Sequence, residues 1–299
     1  MFINDLPTFL NFVFCLLFAD DLKIFKSISS EADMALLQKD IDSVIEWSKA
    51  NSLPLNELKC QLMVFCKKQT RFPNVQYVVG NTKLVPQTEV MDLGVLFDSG
   101  LTFHNHVRSI TSNANRTLGF IIRNSHSFRQ LDTLILVYNA LVRSKLEYAS
   151  TIWDGLNATQ RKRLEKVQKR FLRYLYFRKH GVYPHYSHHP VSTASMLKEF
   201  NILSLENRRN LSNILFIYRV FNNIVNCPEL ISKFRFRIPT RSTRQKQLFT
   251  TSVPQKPESL VSKLTNLYTD LSKVLDLDIF HTSLNDLRNI LTDFYSKRL

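Results

Sequence analysis

The chain has 299 residues, 44% of them hydrophobic, which is long and apolar enough to bury a core and excludes a disordered chain. Its formal net charge is +15, and the excess lies after residue 107: the first 107 residues hold nine basic and twelve acidic residues, and the remainder holds 31 and 13. This balance predicts a polyanionic partner, because lysine and arginine neutralise phosphates in sequence-independent nucleic-acid binding. A ribosome-like role, a membrane-surface role and solubility alone are the alternatives.

The cysteines and the N-terminal apolar run indicate the compartment. Four scattered cysteines without a CxxC spacing favour reduced thiols in an intracellular protein, nuclear or cytoplasmic. The apolar run over residues 9–18 lacks a basic segment before it and meets Asp20 and Asp21 at once, so it predicts neither a signal peptide nor a membrane span. We expect no membrane partner.

The first 107 residues predict a β-rich fold with one helix. Apolar runs on either side of Asp20 and Asp21 predict a buried strand, an acidic turn and a returning strand. Apolar spacing over residues 30–48 predicts an amphipathic helix, with Ser30 as its N-cap and Asp33 completing a capping box. Further strands are expected over residues 60–65, 77–79 and 91–97.

After residue 103 the pattern becomes helical. Helices are predicted over residues 104–123, 130–153, 158–177, 204–222, 259–275 and 283–295. A cluster of proline, tyrosine and histidine at 181–190 interrupts the series, and the polar stretch 237–257 predicts an exposed linker. His185, His188 and His189 with Cys227 lack a metal-site spacing, which favours an ordinary loop over a metal site.

The acidic pair Asp20 and Asp21 is the sharpest chemical signal in the chain. Carboxylates at the tip of an apolar hairpin can hold divalent cations such as Mg²⁺, which clamp a triphosphate and activate a hydroxyl group. The alternative is an ordinary turn, since hairpin turns favour aspartate for backbone reasons. The pair by itself does not decide between them.

The helix predicted over residues 158–177 carries the second signal. Four basic residues recur at spacings of four, three and four residues and form one stripe: Lys162, Lys166, Lys169 and Arg173. Arg170 widens this charged side, and Glu165 is the one acid among them. The pattern favours contact with a phosphate backbone; a solvated helix face is the alternative.

Several motifs together resemble the reverse transcriptases of non-LTR retrotransposons, of the jockey-like type. The FADD tetrad at 18–21 resembles the third catalytic palm motif, and FINDLP at 2–7 resembles the segment ahead of it. Further matches follow in the family's order: Trp47, Asn51, Leu53, Leu55, Asn56 and Lys59, then Leu93, Gly94, Val95, Asp98, Leu101, Phe103 and His106, then Ser144, Leu146, Glu147, Tyr148 and Trp153. For Phe103 and Trp153 we favour a place in the hydrophobic core over a role in stacking on nucleic-acid bases.

The resemblance implies an α+β fold and a division of the chain. Residues 1–103 would be the C-terminal part of a palm, with an antiparallel hairpin, one helix and a small primer-grip sheet. A helical thumb over 104–180, a helical extension over 181–236, the linker over 237–257 and C-terminal helices over 258–299 would follow.

The same resemblance implies an RNA-directed DNA polymerase that uses Mg²⁺, an RNA template and a DNA primer. Asp20 and Asp21 would be catalytic metal ligands, and Lys59 would lie near the incoming nucleotide. The remaining expected site residues would contact nucleic acid: Lys162, Lys166, Lys169, Arg170, Arg173 and Gly94.

One departure from the family bears on activity. The family's first metal-binding aspartate, its fingers and its template motif come before FINDLP, and these 299 residues contain no match to them. Asp5, Asp40 and Asp42 are poor substitutes, since the first belongs to FINDLP and the others to a helix surface. We expect a truncated chain that is inactive by itself; the alternatives are a nucleic-acid-binding module that uses the basic thumb, and a remnant that self-associates through its palm edge.

Overall fold

The structure is a computed structural model that describes residues 3–66, 76–184, 191–237, 248–250, 259–275 and 277–298. It divides into unit 1, residues 1–101, and unit 2, residues 102–299. Unit 1 combines small sheets with one long helix, and the described part of unit 2 is mainly helical. This mixture is compatible with the expected α+β class.

Unit 1 contains short strands joined in pairs. They are β1 (Phe14–Phe18), β2 (Asp21–Phe25), β3 (Leu62–Met63), β4 (Tyr77–Val79), β5 (Thr82–Leu84), β6 (Pro86–Gln87), β7 (Glu89–Asp92) and β8 (Val95–Asp98). The pairs β1–β2, β4–β5 and β7–β8 are antiparallel, and β3–β6 is parallel. Single turns of 3₁₀-helix span Leu6–Phe9 and Glu57–Lys59.

Two of the expected strands differ from the structure. The strand expected over residues 60–65 is only two residues long, and the single strand expected over 91–97 is wrong. Residues 89–98 instead form a hairpin, because Leu93 and Gly94 both adopt positive φ, 43° and 81°. Two consecutive positive φ values are the requirement of the tight hairpin turn that matches the twist of paired strands.

Helix α1 (Glu31–Ala50) confirms the helix expected from the spacing of apolar residues. Its capping box is present: the Ser30 side chain accepts from the Asp33 backbone N–H, and the Asp33 carboxylate accepts from the Ser30 backbone N–H. Its apolar face is buried, with Leu37 and Ile41 in one cluster and Val44 and Trp47 in another.

Asp40 was expected on the helix surface, and that expectation is wrong. It is buried, and its carboxylate accepts hydrogen bonds from the backbone N–H groups of Asn11 and Phe12, at 3.2 Å and 2.7 Å. Burying an unpaired backbone N–H is costly. Asp40 therefore anchors to α1 the segment that leads into β1.

The described helices of unit 2 are α2 (His104–Asn124), α3 (Leu131–Tyr138), α4 (Ser144–Glu147), α5 (Ser150–Trp153), α6 (Ala158–His180), α7 (Thr193–Glu199), α8 (Leu205–Phe221), α9 (Pro228–Ile231), α10 (Leu260–Ser272) and α11 (Leu284–Lys297). None of the helices in the described ranges is long and apolar enough to cross a bilayer. The sequence analysis did not anticipate α7 and α9.

The single helix expected over residues 130–153 is wrong. A turn of π-helix over Asn139–Arg143 separates α3 from α4, and the helix ends at Tyr148, followed by Ala149 with φ 50°. The indole Nε1 of Trp153 donates to the carbonyl oxygen of Tyr148 at 2.9 Å. This bond joins the Trp153 side chain to the backbone at the end of α4.

Unit 2 buries two groups of side chains. Along α2, α3 and α6, Leu118, Leu134, Leu164 and Phe171 are fully buried. A second cluster joins α8, α10 and α11 with two phenylalanines, Phe234 and Phe249, of the connecting segments. Phe103 and Trp153 are buried, as expected for core residues.

Candidate functional site

The acidic hairpin is formed by β1 and β2. Phe18 pairs with Asp21, so Ala19 and Asp20 form the turn between the strands. Ala19 has φ 53°, a left-handed conformation that costs an L-residue about 1–2 kcal/mol. Asp20 and Asp21 are both exposed, and no ion pair in the described part of the chain involves either carboxylate. The hairpin thus presents two adjacent, unpaired carboxylates at a strained turn.

One face of the hairpin fixes its position within unit 1. Leu17 and Leu22 pack against the cluster that contains Trp47 of α1. Lys23 of β2 forms an ion pair with Asp92 of β7, with 2.6 Å between Nζ and Oδ2. The carboxylate tip therefore extends from strands held by both the helix and the β7–β8 hairpin.

The opposite face of the hairpin is exposed, contrary to the expected buried strand. Phe14, Leu16 and Phe18 are 70%, 57% and 60% exposed. The rings of Phe14 and Phe25 stack on each other with 5.5 Å between centroids. The sequence showed an unbroken apolar run, but successive side chains of a strand alternate between its faces, and α1 covers only one of them.

The described residues do not form a complete two-metal site. Within them, no three His, Cys, Asp or Glu side chains lie together in a group that could hold a metal ion. Two cations also need a carboxylate that neutralises them from another side and sets their spacing. Asp20 and Asp21 supply one side of such a site, so no catalytic step through a metal ion follows from these residues alone.

Lys59 ends the 3₁₀ turn Glu57–Lys59 and is exposed. The turn is anchored by Glu57, whose carboxylate accepts from the backbone N–H of Asn81 at 3.3 Å and from the hydroxyl of Thr82 at 2.7 Å. A side chain at Gly80 would collide with Glu57, since its Cβ would lie 2.0 Å from Oε1. Lys59 therefore has a fixed backbone, but no hydrogen bond or ion pair in the described ranges links it to the acidic pair.

Gly94 occupies the second position of the β7–β8 turn. Its φ of 81° gives it a clear structural role in that turn. A role in contacting nucleic acid stays a prediction.

The basic stripe lies on the solvent side of α6. Lys162 and Lys166 are exposed, as is Arg170 beside the stripe, while Lys169 and Arg173 are half-buried. Within the described residues none of these five forms an ion pair with a carboxylate. The side chains are therefore placed where an external anion could neutralise them.

Helix α6 is held rigidly under this stripe. Its N-terminus has a capping box between Asn157 and Gln160, and its C-terminus ends at Gly181 with φ 74°. On the buried side, the rings of Phe171 and Tyr138 stack with 3.9 Å between centroids. Gln168 donates to the carbonyl oxygen of Leu203 at 2.8 Å. The stripe thus stands on a helix fixed at both ends and along one face.

The sequence analysis missed the basic residues of α2. Arg108, Arg116 and Arg123 are exposed on this helix, which packs against α6. The available signal was that residues 104–124 contain no aspartate or glutamate. His185, His188, His189 and most of the expected linker lie outside the described residues. In the described part of that linker the expected exposure is wrong at Phe249, which is buried in the cluster of α8, α10 and α11.

Comparison with known proteins finds a similarity to a polymerase of a mobile element. The chain is similar to the RNA-directed DNA polymerase from the mobile element jockey of Drosophila funebris: 25% of the residues are identical over 162 residues. The matched region covers 52% of this chain and 17% of that protein. No family model and no solved structure matches. The similarity supports a relationship to the jockey-like reverse transcriptases.

Proposed function

We propose that the chain is part of a non-LTR retrotransposon reverse transcriptase. Residues 1–103 would be palm, 104–180 thumb, 181–236 a helical extension, 237–257 a linker and 258–299 C-terminal helices. The observation that carries the proposal is the FADD hairpin, in which a strained Ala19 precedes two exposed, unpaired carboxylates. The order of the other motifs and the similarity to the jockey polymerase support it.

By this lineage the chemistry is RNA-directed DNA synthesis by Mg²⁺-dependent nucleotidyl transfer. In a complete enzyme Asp20 and Asp21 would be ligands of Mg²⁺, which would activate the primer hydroxyl and neutralise the triphosphate. Lys59 would lie near the incoming nucleotide, and Gly94 and the basic residues of α6 near the primer and template. Because the described residues bring two carboxylates and no third to the hairpin, we propose that these 299 residues are inactive by themselves.

Primer extension on a poly(A) template with Mg²⁺ tests the inactivity. We expect no incorporation of nucleotide above background. Incorporation that disappears in the Asp20→Ala variant would contradict the proposal. Asp20→Ala is a clean control because the exposed, unpaired carboxylate contributes little to folding, so its thermal unfolding should match that of the unchanged chain.

A second candidate function is nucleic-acid binding without catalysis, through the basic stripe of α6. It is favoured by a specific observation: the described residues offer these cations no carboxylate partner. A helix that tracks a phosphate backbone needs cations and no sequence-reading groups. Its partner would be a duplex such as an RNA–DNA hybrid.

The binding proposal is tested by measuring the affinity for an RNA–DNA hybrid as a function of salt. We expect the affinity to fall steeply with salt, and Lys162→Glu with Lys169→Glu to weaken binding by at least about tenfold. The matched control is Lys198→Glu in α7 with Arg288→Glu in α11. Both residues are exposed, and this double variant changes the net charge by the same amount. Salt-independent binding, or equal losses in both double variants, would contradict the proposal.

Self-association through the exposed face of the β1–β2 hairpin is a further proposal. It is supported by the exposed side chains of Phe14, Leu16 and Phe18. Sedimentation at increasing concentration would detect it, and we expect Leu16→Lys to abolish it. A chain that stays monomeric at all concentrations would contradict the proposal.

A further inference from the structure

Gly119 of α2 is buried where α2 packs against α6, and we call this place the Gly119 seam. A Cβ atom built on Gly119 would lie 3.4 Å from Nη1 of Arg123 and 3.8 Å from Nη2 of Arg170. Two guanidinium groups from different helices therefore meet above one backbone position that carries no side chain. Their nitrogens are at most 7.2 Å apart, the sum of those distances. One phosphate group spans such a gap with two N–H···O contacts of about 2.8 Å each.

The charge around the Gly119 seam is unbalanced. Helix α2 has no acidic residue, and the one acid of α6, Glu165, accepts instead from the backbone N–H of Glu206 at the start of α8, at 2.8 Å. Among the residues that the structure describes, Arg170 donates to a neutral acceptor, Oδ1 of Asn115, at 3.5 Å, and forms no ion pair. Within the described residues Arg123 has no carboxylate partner. Two like charges this close repel each other unless an anion lies between them.

Other contacts between helices in unit 2 follow a different pattern. Arg208 of α8 pairs with Glu147 of α4, and Arg161 of α6 pairs with Glu206 of α8. Arg209 of α8 pairs with Asp154 at 3.0 Å. These three arginines have carboxylate partners, whereas Arg178 of α6 donates to the backbone carbonyl oxygen of Ser125 at the end of α2, at 2.8 Å. The contacts of α6 with α2 thus differ from those three.

We propose that the Gly119 seam binds one backbone phosphate of a nucleic acid, with Arg123 and Arg170 donating to the same phosphate group. Because Gly119 has no side chain, both guanidinium groups lie close to its backbone, and the two helices set the distance between the donors. This inference rests on the proposed binding function of α6 and deepens it, because it adds α2 to the interface. It also identifies a fixed contact point beside the stripe of flexible lysines.

The slope of affinity against salt tests whether one phosphate is shared. Each neutralised phosphate contributes about 0.9 to the slope of log K against log salt on B-form DNA. We expect Arg123→Gln, Arg170→Gln and the double variant each to lower the slope by about this same amount, because all three lose the same phosphate. A double variant that loses twice as much as either single variant would show two separate phosphates and overturn the proposal. Arg288→Gln on α11 is the control and should leave the slope unchanged.

Substitution of Gly119 gives an independent test. Gly119→Ala fits, since its contacts would be ordinary, and we expect binding as in the unchanged chain. Gly119→Glu places a carboxylate beside both guanidinium groups and should weaken binding by at least about tenfold, as loss of one charged contact does. Because Gly119 is buried, thermal unfolding of Gly119→Glu is measured beside its affinity, and the salt slopes of the arginine variants test the proposal independently of its folding. Unchanged affinity in Gly119→Glu would overturn the proposal.

The outcomes also separate this inference from the binding function on which it rests. If Lys162→Glu with Lys169→Glu weakens binding while the seam variants do not, the seam proposal fails and the binding function remains. If neither set weakens binding, both fail. Inorganic phosphate at constant ionic strength is the last probe. If it protects the unchanged chain from thermal unfolding as strongly as the hybrid does, the seam is a free-anion site and the proposal is overturned.

Discussion

Trp153 illustrates how single residues of the matched motifs act in the structure. Its side chain is fully buried, its ring lies 5.4 Å from that of His106, and its Nε1 caps the carbonyl of Tyr148. Glu147, of the same motif, joins α4 to α8 through Arg208. These residues hold the helices of unit 2 together, whereas the carboxylates of Asp20 and Asp21 form no ion pair within the described residues.

Glu165 gives a residue-scale prediction about pH. Burial raises the pKa of its carboxyl group above the ordinary value of 4.5, against the opposing hydrogen bond from Glu206 and the charge of Arg209. Between pH 4.5 and the folded pKa, the Glu165 carboxyl group is protonated in the folded chain and ionised in the unfolded chain. The free energy of unfolding therefore falls as pH rises through this range. Glu165→Gln should raise the free energy of unfolding at pH 8, and the gain should vanish at pH 4. Urea unfolding at both pH values measures this, and an equal effect at both would refute it.

Asp154 gives a second prediction at this scale. It is buried and accepts from Nε of Arg209 at 3.0 Å and from Nδ2 of Asn213 at 2.8 Å, and it also pairs with Lys263. Asp154→Ala should cost about 3–5 kcal/mol in urea unfolding, because it leaves the buried Arg209 charge without a carboxylate partner. Asp270→Ala removes an exposed acid paired with Lys273 and is the control, with an expected change below about 1 kcal/mol. Equal losses in the two variants would contradict the account.

At the scale of elements, the sequence predicted helices better than their interruptions. Helices α1, α6, α8, α10 and α11 begin within a residue or two of expectation, since each follows an Asn or Ser whose side chain caps the first turn. The π turn and the break at Ala149 could not be predicted, because no glycine or proline lies there and the break depends on Trp153. The hairpin at Leu93 was missed for a similar reason, as leucine rarely adopts positive φ.

The capping box of α6 gives a prediction at the scale of the element. The Asn157 side chain accepts from the backbone N–H of Gln160 at 2.9 Å, and the Gln160 side chain accepts from that of Asn157 at 2.8 Å. Asn157→Ala should destabilise the chain by about 1 kcal/mol, and Asn157→Asp should change it little, because aspartate caps equally well. Thermal unfolding of both variants measures the difference. A loss as large in Asn157→Asp would show that the cap is not the cause.

At the scale of the whole molecule, each of the two units has buried side chains of its own. Val44 and Trp47 belong to the core of unit 1, and Leu164 and Phe171 are buried within unit 2. The charge follows the same division, since the positive excess lies after residue 107. The basic region that we propose binds a polyanion could therefore be located from the sequence, but the basic residues of α2 beside α6 depended on how two helices pack.

Separate cores predict separate unfolding. Leu164→Ala should cost about 2–5 kcal/mol and lower the hydrogen-exchange protection of α2 and α6 without lowering that of α1. Val44→Ala should lower the protection of α1 and leave that of α6 unchanged. Hydrogen exchange followed by mass spectrometry resolves both effects. Protection lost equally throughout the chain by either variant would show a single cooperative unit.

The unpaired carboxylates at the hairpin tip bear on how these two positions change in evolution. Asp20 and Asp21 form no ion pair within the described residues, so substitutions of their side chains should have little effect on folding. Without selection, substitutions should accumulate at these two positions as fast as at any exposed pair of residues. Under the proposed retrotransposon function, copies in which both acids are intact would be those that selection for chemistry has kept or that arose recently.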